Sequence, residues 1–124
     1  MAHLGKTQLM ILFTAPSHLV AEGDRLFATH AEWMARSHHK EGPLALLSYN
    51  VAKGPELANP LDPSSSPTGN TSYVLHELYE SQAGLDDHWR RGPQEWSDFG
   101  ALVAWAGGCK VTALHGSPVI QSLW

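Results

Sequence analysis

Apolar positions change their spacing several times along the chain, and each change marks the end of one element and the start of another. Gln8–Thr14 (QLMILFT) is an unbroken apolar run, as expected of a central strand covered on both faces. Pro16 and Ser17 break it. From about Leu19 to His38 the large residues Val20, Leu26, Phe27, His30, Trp33 and Met34, with Gly23 among them, recur at helical spacing and predict an amphipathic helix. Gly42-Pro43 ends the loop that follows, and Leu44–Val51 (LALLSYNV) reads as a second strand. Thr71–Glu80, rich in β-branched, aromatic and leucine residues, is a third. Ser81 suits the N-cap of a helix reaching Arg91, with Leu85, His88 and Trp89 on one face. Gly92-Pro93 should stop that helix and Pro93 start another, with Trp96, Phe99, Val103 and Ala106 as its stripe and Leu102 and Trp105 beside it. Gly107-Gly108 ends it, Cys109–Leu114 forms a last strand, and Ser117–Trp124 is an apolar tail.

Lys53–Asn70 stands apart. It holds four prolines and three consecutive serines, and is expected to be an extended loop without regular structure. Its prolines favour a single conformation and Leu57 and Leu61 offer apolar anchors, so the loop should be ordered and cover something. The tail Val119–Trp124 should pack as well, on a partner subunit or on that loop, because Leu123 and Trp124 would otherwise enlarge an exposed apolar patch.

The 124 residues thus form one domain with the order strand, helix, strand, strand, helix pair, strand. This βαββαβ order is the α+β, ferredoxin-like plan: an antiparallel sheet with helices on one face. A sheet open to water on one side should alternate apolar and polar residues. Here Leu9, Ile11 and Phe13 alternate with Met10 and Leu12, and Tyr73 and Leu75 with Val74 and Leu78. The second face is expected to be covered by the same face of another copy, giving a homodimer.

Composition narrows the function. The charged fraction of 16% is low for a soluble domain, which fits concealed apolar surface. A net charge of −4 and the absence of a basic cluster beyond Arg90-Arg91 argue against nucleic acid. No apolar run is long enough to span a membrane, the N-terminus lacks a secretory pattern, and Cys109 is the lone cysteine, so a cytoplasmic protein is expected.

Candidate chemistry gathers at the corner where strand three meets the next helix, which brings a phenol (Tyr79), an imidazole (His88) and an indole (Trp89) together. His30, centred in an apolar helical stripe, is a second candidate base, because burial keeps an imidazole neutral and proton-accepting. The expected catalytic set is His88, His30 and Tyr79. Trp89, Trp33, Tyr49, Asn50 and Trp96 are the expected substrate-binding residues. Each has a structural alternative, such as a core histidine bonded to a carbonyl. Glu77 shares a strand face with Tyr73 and Tyr79 and is expected to make a structural contact, since a buried carboxylate needs donors. No metal site is expected: His38-His39 lacks the spacing of a ligand pair and suits a solvated helix end. No phosphate loop, nucleophile elbow or dinucleotide fingerprint occurs, so no cofactor is indicated.

The string YVLHELYESQAGLDDH, Tyr73–His88, resembles the signature of the antibiotic-biosynthesis-monooxygenase group of dimeric α/β-barrel proteins. That signature pairs a strand ending in Glu-x-Tyr or Glu-x-Trp with a helix carrying a histidine about nine residues on. LSYN at Leu47–Asn50 agrees more loosely, and the Lys53–Asn70 segment is longer than usual for the group. The resemblance implies two sheets closing into a shared barrel, and a small cofactor-free oxygenase acting on an apolar, aromatic molecule. His88 or His30 would then be the base, Tyr79 or Tyr49 the anion donor, and Trp33, Trp89 and Trp96 the walls. The haem-degrading branch places an Asn in the first strand and a Trp near the position of His88. Gln8–Thr14 has no Asn and the Trp is replaced, so haem degradation is not expected. A non-catalytic or stress-associated binding dimer is the main alternative, and a metal- or haem-binding protein, suggested only by the eight histidines, is a third.

Overall fold

The computed structural model describes residues 2–124 and consists of one four-stranded antiparallel sheet and three α-helices. In chain order these are β1 (Thr7–Ala15), α1 (Val20–Ser37), β2 (Leu46–Leu57), β3 (Pro67–Tyr79), α2 (Gln82–Glu95), α3 (Phe99–Ala106) and β4 (Lys110–Pro118), with a 3-10 turn at Ser17–Leu19 leading into α1. The strands lie side by side as β2-β3-β1-β4. β1 and β3 are therefore central, which is why their helix-facing positions are the most deeply buried.

Register decides which residues share that face. Leu9 lies opposite Glu77, Ile11 opposite Leu75, and Phe13 opposite Tyr73. On β2, Tyr49 pairs with Glu77 and Val51 with Leu75. With Leu26, Phe27, Leu85 and Trp105 from the helices, the apolar and aromatic side chains among these make the main core. Trp33, Met34 and Trp96 form a second, smaller cluster, with Tyr49 and Leu46 against it. Two glycines allow the helices to sit close. A Cβ at Gly23 of α1 would meet the Trp105 ring at 2.6 Å, and one at Gly84 of α2 would meet the Leu44 carbonyl oxygen at 3.0 Å.

The opposite face carries Met10, Leu12, Val74, Ala52 and Leu114, none of them buried. Met10 is 37% exposed, Leu12 36% and Leu114 50%. Of the apolar second parity read from the sequence, Met10 and Leu12 are exposed and Val74 half-buried, whereas Leu78 is buried.

Several boundaries differ from expectation. Lys53–Asn70 is mostly hairpin: β2 continues to Leu57, β3 begins at Pro67, and only residues 58–66 form the connecting loop. Proline does not forbid this, because Pro55 lies on an edge strand and Pro67 is the first residue of its strand, where a missing N–H breaks no ladder bond. The loop is held by Asx and Ser contacts such as Ser64 Oγ donating to Asp62 Oδ1 at 2.7 Å, while the expected anchor Leu61 is 93% exposed. α2 runs through Gly92-Pro93 to Glu95, and Pro93 in its last turn costs the helix one backbone hydrogen bond without ending it. The inward residue of α3 is Trp105, and the expected stripe residue Val103 faces out. Ser81 takes the N-cap position of α2, but its hydroxyl donates to the Pro43 carbonyl. β4 extends to Pro118, and Val119 exchanges backbone bonds with Lys6 and Gly5. Beyond it Ile120, Leu123 and Trp124 are exposed, so these apolar side chains of the tail do not pack against the rest of the chain.

Candidate functional site

The sheet aims Glu77 from near the C-terminal end of β3 into the layer beneath the helices, and the carboxylate has no solvent exposure. α1 supplies His30, α2 supplies His88, and each is buried at 5% exposure. His30, Glu77 and His88 each bring one ligand-type atom within 4.8 Å of the others, and the shortest named separation is 3.6 Å between His88 Nε2 and Glu77 Oε1. Glu77 was expected to be structural and no metal-type cluster was expected. The fold instead makes this carboxylate the point where the two histidines meet, because β3 pairs with β1 in the sheet interior and both helices cross above it.

Partners of the three side chains are well defined. Tyr79 Oη donates to Glu77 Oε1 at 2.5 Å, whereas Glu77 Oε2 has no hydrogen-bond partner among the described residues. His30 Nδ1 and Tyr49 Oη lie 2.8 Å apart, and His38 Nε2 and His88 Nδ1 lie 2.9 Å apart. His38 was expected on a solvated helix end; it is half-buried and stitched to His88.

Proton positions along this last contact follow from its far end. A carbonyl only accepts, so Ser37 Oγ places its one proton on the Trp33 oxygen, at 2.5 Å. Ser37 Oγ must then accept from His38 Nδ1–H, at 2.9 Å. Neutral His38 is left with a lone pair at Nε2, which takes the Nδ1–H of His88. Neutral His88 is in turn left with a lone pair at Nε2, directed at the Glu77 carboxyl. Two electron-rich groups face each other in a buried site, an arrangement that favours a cation or a proton between them.

Burial sets the titration of these groups. It holds the His88 imidazole down to about 3, with help from His38 and His30 nearby. His30 is lowered to about 4 by burial and by His38, and His38 to about 4 by burial and then by Arg91. Desolvation pushes Glu77 up to about 7, against the opposing hydrogen bond from Tyr79. Tyr49 and Tyr79 are both raised, burial again being the main cause. Near neutral pH the histidines are uncharged and Glu77 is poised to take or release a proton.

Two spaces adjoin the cluster. His30 and His88 line a small enclosed cavity of about 30 Å³, together with Leu9, Trp33, Trp96 and Trp89. That is room for one water or one ion, not for an aromatic substrate. A more open groove of about 230 Å³ runs between α1 and β2, and Met34, Ala35, His38, Leu46 and Tyr49 line it. Tyr49 and His38 therefore connect the groove to the buried cluster.

The remaining expected residues are dispersed. Trp33 and Trp96 wall the small cavity, their rings stacked 6.4 Å apart, and their indole N–H groups donate to Glu95 and Thr29. Trp89 is partly exposed, its ring 5.5 Å from those of His88 and His115. Asn50 points to the opposite sheet face, where its amide donates to Ser48 Oγ, so it does not belong to the site. The Tyr79 hydroxyl is committed to Glu77, which leaves Tyr49 as the phenol nearest an open space. Sequence reasoning took Glu77 for a structural contact and His38 for a solvated helix end; the signal for Glu77 was its shared strand face with Tyr79, and His38, set between Ser37 and His39, carried none. Compared with known family models, curated proteins and solved structures, the chain has no match.

Proposed function

We propose that this chain is a small oxygenase-like enzyme of the ferredoxin-like, antibiotic-biosynthesis-monooxygenase type, which deprotonates an apolar aromatic molecule held in the groove between α1 and β2. The observation that carries the reading is the buried, half-satisfied Glu77 carboxylate at the end of hydrogen-bonded pairs leading inward from Tyr49 and from His38. A substrate hydroxyl in the groove gives its proton to the Tyr49 oxygen as the Tyr49 proton moves to His30, and Glu77 is the buried acceptor beyond. The electron-rich substrate anion then reduces dioxygen itself, so the protein supplies a base, a positioned phenol and exclusion of water. A groove of about 230 Å³ favours a molecule smaller than a drug-sized ligand.

The same reading includes a homodimer joined through the exposed apolar sheet face. Support comes from the element order, the strand order and the run of Met10, Leu12, Val74 and Leu114 on that face. A non-catalytic binding dimer is the second reading, favoured by the small size of the enclosed cavity. Oxygen uptake with a panel of hydroxylated one- and two-ring aromatics separates the two. The enzymatic reading predicts uptake by the wild type that falls about 10²–10⁴-fold in Glu77→Gln and Tyr49→Phe. Tight binding of the same compounds with no uptake contradicts it.

A further inference from the structure

The geometry points to a divalent first-row transition-metal site formed by His30, Glu77 and His88. Two imidazoles and one carboxylate from three different elements are the donor set such ions take when positions are left open for other ligands. The three donor atoms lie within 4.8 Å of one another. Donors about 2.1 Å from a common ion stand roughly 3 to 3.5 Å apart. The His88–Glu77 pair at 3.6 Å is therefore already close to the needed span, and closing the triad takes a shift of about an ångström.

Two further features point to an ion independently of that count. Glu77 Oε2 is fully buried and meets no donor among the described residues, so the carboxylate keeps unsatisfied negative charge beside Oε1, the oxygen 3.6 Å from His88 Nε2. The chain from Trp33 O through Ser37 and His38 leaves the lone pair of His88 on Nε2, the atom facing Glu77. Metal-bound histidines are normally held in this way, with the second ring nitrogen engaged by a neighbour. With the ion bound, Tyr49 Oη accepts the Nδ1–H of His30 and leaves Nε2 as the ligand atom, the tautomer opposite to the one in which His30 takes the Tyr49 proton. His38 and Tyr49 are positioning residues here. The adjoining cavity of about 30 Å³ admits one ion or one small ligand beside it.

The inference uses the side chains of the proposed enzyme but does not depend on turnover. Chelator-stripped full-length protein is titrated with cobalt(II), reading visible absorption and the metal retained after desalting. One cobalt per chain with ligand-field bands is expected. Glu77→Gln, His30→Ala and His88→Ala should each abolish the bands, while His38→Ala should weaken binding about 10–100-fold without changing its stoichiometry. His3→Ala and His18→Ala, on the exposed surface, should change nothing. Absence of bound cobalt, or bands that persist in Glu77→Gln, overturns the site. Should a variant fail to fold, paramagnetic broadening of the His30 and His88 ring resonances in the wild type decides the matter, and broadening confined to other histidines refutes the proposal. Oxygen uptake by chelated protein that binds no cobalt would remove the metal and keep the enzyme; bound cobalt without uptake would do the reverse.

Discussion

At the scale of single residues, Glu77 governs how the molecule responds to pH. Its folded value of about 7 lies above the ordinary carboxyl range, so the native state holds a proton that the unfolded chain has lost. Stability from this group is present below about pH 4.5 and is lost as pH rises toward 7. Glu77→Gln removes that loss while keeping the size of the side chain and an acceptor for Tyr79. In chelator, the variant should therefore gain on the wild type by up to about 3 kcal/mol between pH 4.5 and pH 8, measured by denaturant unfolding. A constant difference across that range would contradict it. His30, His38 and His88 act in the opposite sense: their folded values are depressed, so the unfolded state binds more protons and stability falls as pH drops from about 6.5 toward 4. Asp87 and Arg91, which also face His38 and His88, do not change charge in that window. His30 and His88 were legible in the sequence because apolar neighbours at helical spacing mark a buried face. His38 was not, because its partner lies fifty positions away and only the crossing of α1 and α2 brings them together.

At the scale of elements, the contact of α1 with α3 shows how packing overrides local preference. Gly23 sits inside α1, where alanine would raise helix propensity by about 1 kcal/mol. A Cβ there would meet the buried Trp105 ring at 2.6 Å and the Tyr73 hydroxyl at 3.0 Å. The Trp105 indole is held by its bond to the Leu19 carbonyl, and Tyr73 Oη by bonds to Asp24 and Val20, so neither can yield freely. Overpacking should win, and Gly23→Ala should lower stability by about 1–2 kcal/mol net. An unchanged or raised melting temperature would show that the helices can separate without cost. Helices and strands were readable from apolar spacing nearly throughout. The two misread stretches, Lys53–Asn70 and Gly92-Pro93, were both judged by their prolines. In a strand the effect of a proline depends on whether its missing N–H was needed, and in the last turn of a helix on how little helix lies beyond the lost bond.

At the scale of the whole molecule, the open sheet face is the feature that a single copy leaves unexplained. Met10, Leu12 and Leu114 lie exposed on adjacent strands, and no helix among the described residues is long and apolar enough to take them into a membrane. Light scattering should give twice the 13.5 kDa chain mass at micromolar concentration. Leu12→Lys should shift the species to monomer, because pairing would then bury an uncompensated charge. A wild-type monomer would leave that face without a partner. The sequence showed the second apolar parity plainly, whereas the meeting of His30, Glu77 and His88 required the strand order and the helix crossings together. That meeting is also where the functional claim is most exposed to test. Nitrogen-15 NMR of the chelated protein at neutral pH reads the protonation of each ring nitrogen of His88. Hydrogen on Nδ1 and a bare Nε2 is predicted, with Nε2 gaining a proton only in strong acid. Hydrogen on Nε2 at neutral pH would mean that no lone pair faces Glu77, and would contradict the site as described.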